Sequence, residues 1–138
     1  MVSSRLVFRK ENSMYKYNAK ILNVVDGDTF DMDVDLGFHT HIHVRTRLLN
    51  VDTPEKRGSK EKELGLIVTE YAKNLLTGKD VIIESKGYDT SVYTDSFGRW
   101  LVKVELEGKL LEDIYNELGV NKYNENYSED NVRTLKGE

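Results

Sequence analysis

Polar and apolar residues alternate through most of the first half of the chain. Tyr15, Tyr17, Ala19 and Ile21 fall on one side of an extended backbone, with Lys16, Asn18 and Lys20 on the other. A period of two predicts a half-buried strand, here reaching about Val25. Asp26-Gly27-Asp28 interrupts it, with Gly27 supplying a kink or bulge. Phe30, Met32 and Val34 then alternate with Asp31, Asp33 and Asp35, and a hairpin tip follows at Leu36-Gly37-Phe38. On the returning strand Thr40, Ile42 and Val44 alternate with His39, His41, His43, Arg45 and Arg47. Setting apolar against apolar fixes the parity of pairing, because a slip of one residue turns the core face to water. The aspartate row therefore opposes the His/Arg row, with the exact partners open by one two-residue step. The period then changes. Leu64, Ile67, Val68, Tyr71, Ala72 and Leu75 recur every three or four residues, which predicts a helix from Ser59 or Glu61 to Thr77, with Gly78 just past its end. Strands are expected at Lys79–Lys86 and Trp100–Glu107, joined by the polar connection Gly87–Gly98. Gly108-Lys109 makes a turn, and Leu110–Leu118 forms a short helix closed by Gly119.

Five strands, a helix after the third and a short helix after the fifth predict an α+β, mainly β domain. The expected architecture is a small closed antiparallel barrel of the OB-fold, Greek-key type with helices packed on it. The domain is expected over 14–120, between a flexible N-terminus at 1–13 and an acidic, mobile stretch at 121–138.

Composition adds limits. A chain of 138 residues is one domain, large enough to bury a core without staples. It has no cysteine, so disulfides and thiolate metal sites are excluded. No apolar run is long enough for a secretory signal or a membrane span, so the chain as written is expected to be soluble and cytoplasmic, with no membrane partner. The net charge of −4 looks wrong for a nucleic-acid protein. Yet residues 1–110 carry 17 basic and 17 acidic side chains, and residues 111–138 carry 3 and 7, so the acid excess lies at the C-terminal end.

The densest chemistry lies in Arg47-Leu48-Leu49-Asn50-Val51-Asp52-Thr53-Pro54-Glu55. An apolar strand ends there in an arginine, two carboxylates and a hydroxyl, at the sole proline of the chain. Proline cannot donate to a ladder and pushes the preceding residue into an extended conformation, so the strand stops and its polar groups stand off a rigid end. Asp26-Gly27-Asp28-Thr29 and Thr94-Asp95-Ser96-Phe97-Gly98-Arg99 sit at similar junctions.

With these three motifs, in this order and with a helix between the second and third, the sequence resembles the staphylococcal nuclease (thermonuclease) family. The resemblance covers roughly Tyr15 to Gly119. It implies a metal-dependent nuclease that cleaves DNA, RNA or both, prefers unpaired strands and leaves 3′-phosphate ends. Asp28 and Asp52, with the backbone carbonyl of Thr53, would hold one calcium-type cation, for which hard oxygen ligands are suited. Glu55 matches the family's proposed general base, and acts either as a base or as a group that positions water. Arg47 and Arg99 match the two arginines that clamp the phosphate, where a guanidinium fork meets two oxygens. Asp95, Ser96 and Phe97 fall in the second phosphate-binding loop. Ser96-Phe97 replaces a lysine-tyrosine pair, which removes a cation and a hydroxyl. Of the two tyrosines that members of the family place after the last short helix, gapless alignment from Gly119 puts Tyr127 at the second position and Glu125 at the first, with Tyr123 available on a shifted register. Tyr127 is thus a candidate substrate contact. The family's third C-terminal helix is expected to be absent, since residues 128–138 offer only Val132 and Leu135 as apolar anchors. An enzyme carried by a bacterial virus or prophage would fit such a chain.

Blander readings stand beside these. Taken singly, Asp28, Asp52 and Glu55 suit turns and helix caps, and the arginines suit surface ion pairs. His39, His41 and His43 share one strand face with Asp33 and Asp35, which reads either as a transition-metal site or as an exposed His–Asp ladder; hairpin tips vary freely, and the ladder is preferred. The rival functional class is a catalytically silent OB-type module that binds nucleic acid or a protein. Oligomeric state is not readable.

Overall fold

The computed structural model describes residues 15–57, 61–85 and 99–136. The expected flexible N-terminus and the loop with Asp95, Ser96 and Phe97 lie outside these residues. The chain runs β1 (Lys16–Asp26), β2 (Thr29–Gly37), β3 (Thr40–Leu48), α1 (Lys62–Leu76), β4 (Asp80–Ser85), β5 (Trp100–Leu106), β6 (Lys109–Leu110), α2 (Leu111–Leu118) and α3 (Glu129–Thr134).

Ala19 and Ile21 of β1 are buried, as their alternation predicts, and so is Val24, which breaks it. A bulge reconciles them: pairing with β2 shifts between Ile21 and Asn23, leaving Leu22 as the extra residue and exposed. In β2 and β3 the aspartate row meets the His/Arg row, with Asp31 opposite Arg45, Asp33 opposite His43 and Asp35 opposite His41. Phe30, Met32 and Val34 face the core. The far end of this hairpin runs past the core, so Ile42 is exposed although it shares the inner face. The strand order β3-β2-β1-β4-β5-β6 is closed by pairing of β3 with β5. The barrel is therefore mixed where an all-antiparallel one was expected. Parity accounts for the difference: four antiparallel pairings around five strands leave the last strand running with the first, so the closing pair, Thr46–Leu48 against Trp100–Val102, must be parallel.

α1 lays Leu64, Gly65, Val68, Ala72 and Leu76 against the barrel. Beyond it Gly78 takes a positive φ of +79° and donates its N–H to Ile21 O at 2.8 Å, while Lys79 O accepts from Ile21 N, which stitches the helix end to β1. α2 ends at Gly119 in the left-handed conformation (φ 76°, ψ 29°), as expected. β6 is a two-residue strand returning from the turn at Glu107-Gly108, which the sequence pattern was too short to reveal.

The C-terminal stretch corrects two expectations. A third helix does form: Ser128 caps α3 by accepting from Asn131 N at 3.0 Å, and Val132 is fully buried among the core residues. Nor does 121–136 hang free, since Asn121 is buried, Tyr127 and Leu135 pack on the core, and α3 lies against α1. One apolar residue at the right place is enough for a six-residue helix whose cap satisfies its own N-terminus.

Candidate active site

Four separate stretches supply the side chains of one open cleft of about 510 Å³, lined by Asp26, Asp28, Thr29, Arg45, Arg47, Asp52, Thr53, Pro54, Glu55, Arg57 and Arg99. The two-residue turn Gly27-Asp28 joins β1 to β2, with Asp26 paired to Thr29 across it. Gly27 is needed for space: a Cβ there would run into Val68 and Thr53. The turn is fixed from two sides. Tyr115 of α2 donates its buried hydroxyl to Gly27 O at 2.6 Å, and Leu48 donates its N–H to Asp28 O at 2.9 Å. Burial raises the pKa of the Tyr115 phenol, with the charge of Asp28 acting the same way, so the hydroxyl stays a donor.

Arg47 sits opposite Thr29 on the β2–β3 ladder and beside Leu101 on the closing β3–β5 pair. That pair also delivers Arg99, one residue before β5, whose Nη1 donates to Thr29 Oγ1 at 3.2 Å. Thr29 in turn donates to Asp28 Oδ1 at 3.1 Å. Arg47 Nη2 lies 3.3 Å from Asp28 Oδ2 and 3.4 Å from Asp52 Oδ1, and Nη1 donates to Leu48 O at 3.1 Å. After β3 the chain turns through Asn50, at φ +66°, and Pro54 into the segment carrying Asp52, Thr53 and Glu55. Thr53, 1% exposed, donates its N–H to Asp28 Oδ2 at 3.2 Å. Glu55 stands exposed at the mouth, with its N–H given to Glu61 Oε1 at 3.3 Å.

Burial raises the pKa of Asp52; Asp28 and Glu55 push the same way, while Lys122 and Arg47 oppose them. Asp26 is raised likewise, by burial and then by Asp28. Four carboxylates and four arginines share the cleft, and burial more than charge imbalance is what makes these carboxylates costly to ionise. Two carboxylates aim at one nitrogen and hence converge on one point. Among the described residues of the cleft wall, Thr53 Oγ1 and Asp26 Oδ1 are buried without a hydrogen-bond partner. Such a set of hard oxygens fits a calcium-type cation. Among the described residues, no three His, Asp or Glu side chains form a metal cage on their own.

That last finding also bears on the histidine hairpin. His41 Nδ1 and His43 Nε2 lie 3.2 and 3.5 Å from the two oxygens of Asp33, a cross-strand ladder. Tyr127 stands apart from the cleft lining, half-buried against the core near Glu61 and Lys122. Asp95, Ser96 and Phe97 fall outside the described residues. Not anticipated from the sequence were Asp26, Arg45 and Arg57 in the cleft wall, and the contacts of Asn121, Lys122 and Glu61 beneath it.

Comparison with known proteins gives this geometry its family. The staphylococcal nuclease homologue family matches residues 45–135. The chain belongs to the staphylococcal nuclease family. An uncharacterized protein of Bacillus anthracis is 30% identical over 113 residues, covering 80% of this chain and 49% of that protein. An uncharacterized endonuclease of Escherichia coli O157:H7 is 31% identical over 87 residues, covering 63% of this chain and 47% of its own length. The chain spans about half the length of these curated relatives. No described helix is long and apolar enough to cross a membrane.

Proposed function

We propose that this nuclease-family domain is a calcium-type, metal-dependent phosphodiesterase that cleaves DNA, RNA or both, prefers unpaired strands and leaves 3′-phosphate ends. The observation that carries the reading is the convergence of Asp28, Arg47, Asp52, Thr53, Glu55 and Arg99 on one cleft from four stretches of chain. Asp28, Asp52 and the carbonyl of Thr53 are the residues to hold the cation. When bound, it compensates charge on the phosphate oxygens in the transition state. So small a donor set implies weak affinity, about 10⁻⁴–10⁻³ M.

The rest is the work of the chain's own groups. Glu55, exposed at the cleft mouth, orients the attacking water and takes or relays its proton. The water oxygen forms a bond to phosphorus, the bond from phosphorus to O5′ breaks with O5′ taking up a proton from solvent, and the phosphate stays on the 3′ oxygen. Arg47 and Arg99 donate to the non-bridging oxygens as charge builds there. Arg47 now shares one nitrogen between two carboxylates at 3.3 and 3.4 Å, long contacts that a phosphate oxygen can replace. Asp95, Ser96 and Phe97 would contact the substrate from the second phosphate loop. Tyr123, 68% exposed, offers a surface on which an unpaired base can stack, and Tyr127 is the second candidate contact.

The direct test is incubation of purified protein with single-stranded DNA or RNA and calcium, followed by chelation. Cleavage should stop on chelation, and the products should prime a polymerase only after a 3′-phosphatase treatment. Binding without chelator-sensitive cleavage, from neutral to alkaline pH, would overturn the reading in favour of a silent nucleic-acid-binding module.

A further inference from the structure

Beneath the turn that bears Asp52 and Glu55 lies a two-residue strap from a distant part of the chain. Asn121 is 2% exposed and uses both ends of its amide. Its Oδ1 accepts from Asp52 N at 2.9 Å and from Tyr123 N at 3.1 Å; its Nδ2 donates to Asn50 O at 3.1 Å and to Asn116 Oδ1 at 2.9 Å. Lys122 then donates its backbone N–H to Asp52 O at 2.7 Å. Asp52 is thereby held at both its N–H and its C=O, and the left-handed Asn50 before it is pinned by the same amide. The Lys122 ammonium contacts Glu61 at 2.8 and 3.0 Å and lies 3.8 Å from Asp52 Oδ2, and Glu61 Oε1 accepts the N–H of Glu55.

Resting on the nuclease reading above, we propose that Asn121, with Lys122, is a positioning residue of the cleft. It sets the direction of the Asp52 carboxylate and, through Glu61, the seat of Glu55, without itself touching substrate or cation. A buried amide that satisfies four partners has one geometry, so the turn it clamps inherits that geometry. Arg99 is held through Thr29 and not through the strap, so its part in phosphate binding should be spared.

Asn121→Ala tests this against Asn131→Ala. Asn131 lies in the same C-terminal segment and donates to Asn126 O at 3.0 Å, with no bond to the turn. Calcium binding is measured by calorimetry on the nucleic-acid-free protein, and kcat and KM on a single-stranded oligonucleotide. Asn121→Ala should weaken calcium binding and lower kcat by about 10–100-fold each, the usual effect of removing a group that orients a ligand, with KM little changed. Asn131→Ala should lower Tm while leaving calcium affinity and kcat at wild-type values. If Asn121→Ala does not fold, Asn121→Ser serves the same comparison, since its hydroxyl is too short to bridge Asp52 N and Asn50 O. Equal behaviour of the Asn121 and Asn131 variants in a wild-type background that binds calcium and cleaves overturns the strap alone. A wild type that neither binds calcium nor cleaves overturns the nuclease reading and the strap with it.

Discussion

Arg47 carries two tasks that pull in opposite directions. It neutralises Asp28 and Asp52, and the same guanidinium is the group proposed to meet the phosphate. Arg47→Ala should therefore cut kcat by about 10²–10³-fold, the cost of losing one transition-state donor, while calcium affinity holds or rises because a competing cation is gone. Asp28→Ala should do the reverse and chiefly weaken calcium binding; equal losses of both properties in both variants would contradict the division of roles. A second residue-scale outcome concerns acid. The hydrogen bond from Lys122 holds the Glu61 carboxyl below its ordinary value of 4.5. A carboxylate depressed in the fold stabilises it above the unfolded value, and that contribution is lost as pH falls through the folded value. Lys122→Met should thus cost more stability at neutral pH than in acid, by at most about 1 kcal/mol because both side chains are partly exposed. Thermal melts at the two pH values that show the same loss would argue against it. Asp28, Arg47 and Asp52 drew attention in the sequence because charge at a strand end has no structural need. Asn121 did not, because a buried amide leaves no trace in periodicity and its partners in the turn lie about 70 residues away.

At the scale of elements, α1 is seated on the turn that carries Asp52 and Glu55 through an absent side chain. A Cβ at Gly65 would collide with the backbone of Glu55 and Lys56. Gly65→Ala must push helix and turn apart, at about 1–3 kcal/mol, and should lower kcat because Glu55 is the residue displaced. A melt combined with steady-state kinetics checks both; full activity at reduced Tm would show that the turn does not need the helix. Val132→Ala should cost about 2 kcal/mol, since that side chain is fully buried. A loss within error of zero in denaturant unfolding would mean that α3 holds nothing. The long elements were legible because each repeats its pattern several times: three alternating aspartates in β2, about four turns of apolar spacing through α1. β6 and α3 were not, because two residues and one valine are too few to show a period. The bulge at Leu22 hid in the same way, since a single inserted residue changes parity without changing composition.

At the scale of the molecule, the cleft depends on barrel closure. Arg47 and Arg99 meet because β3 and β5 pair over three residues, and Asp28 meets them because β2 pairs with β3. Loss of activity on heating should therefore coincide with the fluorescence change of Trp100, the one tryptophan, which lies on the closing strand β5. Calcium at about 100 times its dissociation constant should add about 2.7 kcal/mol to stability, and a chelator should remove it. Activity that disappears well below the fluorescence transition would mark the site as a separate unit. The strap that reaches the Asp52 turn has a consequence for biosynthesis as well. Translation runs from the N-terminus, so residues 121 and 122 are made after every other group in the cleft. A chain stalled before them carries Asp52 and Glu55 without the strap proposed to aim them. An unfinished copy, still tethered to the messenger RNA that encodes it, should on this arrangement be a weaker nuclease than the completed chain.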